Sequence, residues 1–459
     1  MIKIDLTLKP SDLAAKLKRF WQLSGEKIHL IKNNYDDSKG SPVLTSKGKY
    51  IARGWTEWTQ GFLYGSMILQ YDATGEKSLL DMGRRKTVEV MAPHISHTGV
   101  HDHGFNNVST YGNLLRLMKE GKIAFNEWEK DFYSLALKIS GAIQARRWTS
   151  IKGGGFIYSF NGPHSLFVDT LRSCRSLILS HCLGHTLQSE GDQRISLLER
   201  AVEHMKATAN YSIFYGEGRD SYDVLGRTAH ESIFNVNDGN FRCPNSQQGY
   251  SGFSTWTRGL AWAMCGFAEE IEWFEYVKDS DFSGLDIRKD ILPFMIKAAR
   301  AVCDFYIDNC PVDGVPYWDT AAPDLYKLGD YLNKPADPYN DFEPVDSSAA
   351  AIAAQGLLRF GRYLQQNGEK ESGDRYWQAG LTVLNTIFGE PYMSTGHEHE
   401  GLLLHSVYHR PNGWDYIAPG SKIPNGESSM WGDYHAREAA LYIQRLINNE
   451  TYHSFFNIL

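Results

Sequence analysis

Two aspartates and one tryptophan-rich turn are the residues of this chain whose types and spacing could do chemistry. Asp102 lies in Val100-His101-Asp102-His103-Gly104-Phe105, between a loop and a predicted helix, with a histidine on either side. Asp169 lies in Ser165-Leu166-Phe167-Val168-Asp169-Thr170-Leu171, which reads as the first turns of an apolar helix running to Cys182. An acid there gains from the helix dipole. Partial burial would raise its pKa toward the range that suits a general acid. A pair of Asp residues from different loops is the usual apparatus for glycosidic chemistry. The third stretch is Gln248-Gly249-Tyr250-Ser251-Gly252-Phe253-Ser254-Thr255-Trp256-Thr257-Arg258-Gly259-Leu260-Ala261-Trp262. Ser254 or Thr255 can cap the helix that follows. Trp256, Gly259 and Trp262 recur every third residue, near one helix face, with Arg258 beside them. Indole faces stack on a pyranose and a guanidinium fork pairs a carboxylate, so this turn suits an acidic sugar.

Plainer readings stand beside these. Either aspartate can be a cap or half of an ion pair, and Arg258 can be a buried arginine that binds backbone carbonyls. His101, Asp102 and His103 also have ligand chemistry, so a metal site competes for that loop. No G-x-S-x-G elbow occurs, and no glycine pattern follows a strand, so neither a serine nucleophile nor a nucleotide loop is indicated.

The elements that must position these residues are mostly helical. Helices are predicted over Ser11–Ile31, Thr56–Thr74, Lys77–Val90, Asn106–Glu120, Asn126–Ala145, Ser165–Cys182 and Ile195–Ala209. They resume over Thr255–Trp273, Lys289–Asn309, Ser347–Gln366, Glu371–Phe388 and Gly432–Ile447. The segment Tyr211–Ser246 is polar and reads as containing a short hairpin that turns at Asn237-Asp238-Gly239-Asn240. About twelve helices in hairpin-like pairs, separated by Gly-rich loops, suggest a toroid of helix pairs with the site on loops at one rim. No low-complexity linker divides the chain, so residues 1–459 read as one domain.

Composition narrows the function. Aromatic residues make up 13% of the 459, with 12 Trp and 25 Tyr, a surplus that carbohydrate sites often show. A formal charge of −7 argues against a nucleic-acid partner, which needs a basic field. No stretch approaches the ~18 apolar residues of a membrane span. Met1 to Pro10 lacks an apolar signal core, so the chain reads as cytoplasmic, or as periplasmic if an export signal has been trimmed from it. The six cysteines form no CxxC pair and no zinc-finger spacing, and read as reduced thiols.

Six blocks, in order over nearly the whole length, resemble the unsaturated glucuronyl hydrolases, the glycoside hydrolase family 88 group. They are Trp58-Thr59-Gln60-Gly61-Phe62, His101-Asp102-x-Gly104-Phe105, the Gln248–Trp262 turn, Asp346-Ser347-Ser348-Ala349-Ala350-Ala351-Ile352-Ala353-Ala354, Glu400–His409 and Trp431-Gly432-Asp433-Tyr434. The resemblance implies an all-α fold, an (α/α)6 barrel. It implies hydrolysis of lyase-generated oligosaccharides that carry a Δ4,5-unsaturated uronic acid at the non-reducing end. The reaction is a hydration of the enol-ether double bond that needs no metal and no cofactor, in a monomer or homodimer. By position, Asp169 is similar to the acid/base and Asp102 to the second essential aspartate. Trp58, His101, His230, Gln248, Trp256, Arg258 and Trp262 are similar to the family's substrate-binding residues.

The departures are also informative. Gln247 stands where the family has His before Q-G-Y, Gly252 and Phe253 replace two Asp, and Leu260 replaces Gln. They keep two alternatives open: a β-glucuronidase for saturated substrates on the same scaffold, and a non-catalytic uronate-binding protein. Arg172, Ser173 and Arg175 replace an apolar pattern after Asp169. The two arginines either meet an extra anion of the substrate, such as a sulfate, or bind acids on a neighbouring helix.

Overall fold

The computed structural model describes residues 1–54, 57–277 and 287–459. Among them twelve helical runs alternate between an outer and an inner layer. The outer runs are α1 (Ala14–Asn34), α3 (Lys77–Val90), α5 (Glu127–Arg146), α7 (Leu197–Ala207, closing in the π turn Thr208–Ser212), α9 (Ile287–Asn309) and α11 (Lys370–Ile387). The inner runs are α2 (Gln60–Thr74), α4, α6, α8 (Thr257–Tyr276), α10 (Ser347–Gln366) and α12 (Met430–Ile447). Of these, α4 comprises His103–Asn107, the π turn Val108–Gly112 and Asn113–Lys119; α6 comprises Thr170–Ser173 and Arg175–Cys182. The fold is the all-α (α/α)6 barrel that the helix spacing and the family resemblance both imply.

Side-chain chemistry sorts the layers. Residues Thr257–Phe274 of α8 are all buried, whereas α3 buries one stripe, Leu79, Leu80, Met82, Gly83 and Thr87. A helix apolar on every side belongs inside, and a one-sided helix covers it. Around the inner ring each helix touches the next, and α12 returns to α2. A glycine stands at each of these contacts. A Cβ on Gly65 (α2) would lie 2.7 Å from the Ser109 carbonyl of α4 and 2.8 Å from the Tyr434 ring of α12. One on Gly104 (α4) would lie 2.2 Å from the Ser173 carbonyl of α6, and one on Gly266 (α8) 2.9 Å from Leu171 of α6. Gly356 (α10) approaches Met264 of α8 to 2.7 Å, and Gly432 (α12) approaches Ser348 of α10 to 3.0 Å, by the same measure. Contacts this short leave no room for a side chain.

The connections are asymmetric. Most of those entering the inner helices are long, as in 147–169, 213–256, 310–346 and 388–429; several of those leaving are short, as in 75–76 and 367–369. The long loops therefore gather at the rim formed by the inner helices' N-termini.

One expected helix begins too early. Ser165–Phe167 is a strand, β1, and helix α6 starts only at Thr170. It pairs antiparallel with β2 (Glu231–Phe234), which pairs with β3 (Phe241–Asn245). A four-residue apolar run does not distinguish strand from helix, and the 231–234 partner decides it. The β2–β3 hairpin and its turn are as expected. Thr56, the expected start of α2, lies outside the described residues. No described helix is long and apolar enough to cross a membrane.

Candidate active site

The rim holds a cavity of about 100 Å³ whose wall includes Trp58, His101, Asp102, Asp169, Gln248, Trp256, Arg258 and Trp262. These eight residues, from four separate stretches of the chain, thus meet because the inner helices all begin at this end. Asp102, Asp169 and Trp256 each occupy the residue just before an inner helix, α4, α6 and α8, and none of them caps it with its side chain. Asp169 is therefore at the start of α6 and not within its first turns. Ser254 and Thr255 do not cap α8 either: Ser254 Oγ donates to Asp319, and Thr255 Oγ1 accepts the Thr228 amide.

The short strand aligns the second carboxylate with a histidine. Val168 N–H donates to the His230 carbonyl (2.9 Å), which sets the His230 ring beside Asp169. The Gln247 and Gln248 amides both donate to His230 Nδ1, at 3.0 and 3.2 Å. With Nδ1 an acceptor, the ring proton resides on Nε2. That atom stands 4.0 Å from Asp169 Oδ1, and neither has a hydrogen-bond partner among the described residues. Burial holds the His230 pKa down to about 4, so the ring is neutral.

His101 links the two acids. Its Nε2 is 3.4 Å from Asp169 Oδ2 and 3.7 Å from Asp102 Oδ1. Burial pulls its pKa down, but the two carboxylates outweigh burial and raise it. Burial lifts Asp102 to about 6, against the attraction of His101. Asp169 moves the other way. Burial raises it, but the hydrogen bond and charge of His101 outweigh burial and hold it below the usual carboxylate value. The expectation that burial raises Asp169 is thus reversed, and Asp102 is the acid with the elevated pKa. The three groups titrate together and share protons.

Ser173, one of the departures after Asp169, clamps this arrangement. Its Oγ donates to the His101 carbonyl (2.7 Å) and accepts the Gly104 amide (2.9 Å). His103 points away: Nδ1 meets Ser140 Oγ and Nε2 the His97 carbonyl. An HxH chelate is therefore not formed. The ligand atoms that do converge are those of His101, Asp102 and Asp169, all within 4.8 Å of one another.

Arg258 corrects the sequence reading. Its Nη1 donates to Asp346 (2.7 Å) and to the Val407 carbonyl; its Nη2 donates to Gln248 (2.9 Å) and to the Tyr408 carbonyl (2.7 Å). The guanidinium lies between the Trp256 and Trp431 rings, at 4.6 and 4.9 Å. Its terminal nitrogens are spent and its charge is met by Asp346, so it fastens Gln248 and the 407–408 loop and is not a free fork for a carboxylate. Trp58 stacks on Trp431 (5.2 Å, 29°), and Trp262 packs against Phe105 (4.9 Å).

Arg172 and Arg175 face away from the cavity. Arg172 pairs Glu269 (3.0 Å) and Glu438 (2.8 Å), and Arg175 lies 3.6 Å from Glu269 and donates to the Gly104 carbonyl. They bind acids on neighbouring helices, and the sulfate-facing alternative does not hold.

Sequence reasoning missed Phe160, Tyr408, His409, Asn412 and Trp414, which complete the wall. Tyr408 and His409 closed the fifth matching block, but nothing in their spacing marks them as lining residues. The half-buried Asp415 carboxylate accepts both of their amides and shapes that loop.

No family model matches the chain. It is 26% identical over 420 residues to the unsaturated glucuronyl hydrolase of Bacillus sp. (strain GL1), covering 89% of this chain and 92% of that one. It is 24% identical to the unsaturated chondroitin disaccharide hydrolase of Streptococcus agalactiae serotype III, covering 84% and 81%. The crystal structure of the Bacillus sp. GL1 enzyme superposes with a TM-score of 0.68 at 22% identity, over 95% of this chain and 99% of that one. Over most of its length the chain is thus similar to unsaturated glucuronyl hydrolases. An unsaturated glucuronyl hydrolase specific for heparin shares the fold of this chain with a TM-score of 0.70 at 19% identity, over 95% and 100% of the two chains.

Proposed function

We propose that the chain releases Δ4,5-unsaturated uronic acid from the non-reducing end of lyase-generated oligosaccharides by hydrating the enol-ether bond. The observation that carries this reading is the pair of buried carboxylates bridged by His101, set in an aromatic cavity at the rim. Proton delivery to carbon and activation of water require a group that can hold and return one proton, and in this cluster the two acids favour a proton on His101.

In the proposed reaction Asp169 donates a proton to C4, and positive charge develops at C5 and the ring oxygen. Water adds to C5 and returns its proton to Asp169. The resulting hemiketal opens and the bond to the leaving sugar breaks. His101 holds the Asp169 pKa down, and the two acids favour a proton on His101. The substrate brings its own carboxylate and excludes water, and both effects raise the Asp169 pKa, so that the proton passes from His101 over 3.4 Å. Asp102 and the His230 Nε2–H hold ring hydroxyls or the attacking water. Trp58, Trp256 and Trp262 wall the sugar, and Gln248, held by Arg258, contacts it.

The test is turnover of unsaturated disaccharides, followed by loss of the ultraviolet absorbance of the conjugated C4=C5 bond. Asp169→Asn is expected to lower kcat by roughly 10²–10⁴-fold, the range of general acid–base catalysis, while leaving binding nearly intact. An enzyme that leaves that bond unchanged in every disaccharide, yet cleaves an aryl glucuronide, would be a saturated glucuronidase.

A further inference from the structure

Next to the active-site cavity lies a second depression, of about 440 Å³, whose wall includes Tyr250, Trp318, Phe342, Arg410 and Lys422. Two segments form the ridge between them. Gln247 and Gln248 face the active site and Tyr250 faces the depression; His409 and Asn412 face the active site and Arg410 faces the depression. A sugar chain leaving the active site over that ridge enters the depression.

Its lining suits a sugar. Tyr250 is 53% exposed and Phe342 37%, so each presents an open ring face beside the buried Trp318. Its charged side chains are ion-paired or hydrogen-bonded, with one exception. Lys422 pairs Asp341 (2.8 Å), and Lys327 pairs Asp324 (2.9 Å). Glu343 accepts Trp318 Nε1 (2.7 Å) and the Asp324 amide (2.8 Å). Arg410 makes no side-chain hydrogen bond or ion pair with any described residue, and its Nε is buried without a partner. The acid whose charge it feels, Asp415, is occupied by the Tyr408 and His409 amides. A half-buried guanidinium with no direct ion pair or hydrogen bond is incompletely compensated, and an incoming anion supplies the missing partner.

We propose that this depression is a binding site for the third sugar of a longer unsaturated oligosaccharide, and that Arg410 pairs the carboxylate of a uronate there. The proposal rests on the hydrolase reading for the direction of the chain, with the unsaturated residue in the first cavity and the leaving sugars running outward. Lyase products of polymers that alternate uronate with a second sugar carry a uronate at that third position. The enzyme is then built for tetrasaccharides and longer fragments, and disaccharides use only part of it.

The test compares wild type and Arg410→Gln on four substrates: an unsaturated disaccharide, and tetrasaccharides whose third sugar is a uronate, a sulfated neutral sugar or an unmodified neutral sugar. Arg410→Gln is expected to lower kcat/KM on the uronate tetrasaccharide about 10-fold or more, the scale of a charge-assisted hydrogen bond, and to leave the disaccharide unchanged. Tyr250→Ala is expected to weaken all three tetrasaccharides alike. Equal losses on disaccharide and tetrasaccharide would overturn the site, and a loss confined to the sulfated arm would overturn the carboxylate assignment. Calorimetry on Asp169→Asn, with and without Arg410→Gln, reads binding apart from turnover. Tighter binding of the uronate tetrasaccharide than of the disaccharide, lost with Arg410→Gln, supports the site even if no substrate is turned over, an outcome that would instead refute the hydrolase reading. Equal affinity for both overturns it.

Discussion

At the scale of single residues, the cluster around His101 is the feature that a measurement can address most directly. Asp102 has a pKa of about 6 and must be ionised to hold hydroxyls or water, so kcat/KM is expected to fall as pH drops below that value. His101 must carry its proton, and its pKa is raised by the two acids, so kcat/KM is expected to fall again as pH rises through that raised value. The product is a bell-shaped kcat/KM profile. A rate independent of pH across this range would remove His101 and Asp102 from proton handling. The same three side chains bring ligand atoms within 4.8 Å. Because His101 already bridges the acids by charge and hydrogen bonding, a chelator is expected to leave turnover unchanged. Inhibition by chelator, reversed by a divalent cation, would put a metal on His101, Asp102 and Asp169.

At the scale of elements, α6 does two jobs. The residue just before it, Asp169, faces the cavity, and its first turns enter the buried ion network of Arg172, Arg175, Glu269 and Glu438. That network also reaches α8 and α12, and Arg359 of α10 pairs Glu272 beside it (2.7 Å). Breaking a buried ion pair from one side leaves a charge stranded. Arg172→Met is therefore expected to destabilise the fold by about 3–5 kcal/mol in urea unfolding. Its effect on kcat/KM should be the same for sulfated and unsulfated disaccharides. A selective loss on sulfated substrates would mean that Arg172 reaches the cavity after all. Ser173, between these two roles, explains why a polar residue is useful where an apolar one would fill the core: it ties α6 to the His101–Gly104 turn.

At the scale of the whole molecule, the inner ring closes because a glycine lets each pair of neighbours touch. Gly356 is the cleanest case for measurement, because it packs on the Met264 backbone and is not part of the cavity wall. Gly356→Ala would place a methyl group where 2.7 Å is available, and is expected to cost about 1–3 kcal/mol, the usual range for overpacking. If its unfolding midpoint matched that of the parent protein, the ring would have slack, and the glycines would not be what sets its closure.

Helix number and the alternation of layers were readable from the sequence, because buried and half-buried helices carry different apolar patterns and those patterns are local. The two aspartates, the tryptophans and the family blocks were readable for the same reason: side-chain type and near spacing are properties of the chain itself. Non-local pairing was not. Ser165–Phe167 became a strand because Glu231–Phe234 lies beside it. Arg258 lost its freedom to Asp346 and to two carbonyls some 150 residues away. Arg172 turned to acids 97 and 266 residues on. The pKa order of Asp102 and Asp169 was set by where His101 came to rest between them. A residue's chemistry is written in its type, but whether its hydrogen bonds and charge are already spent depends on what folding places within a few ångströms, and only the tertiary structure decides that.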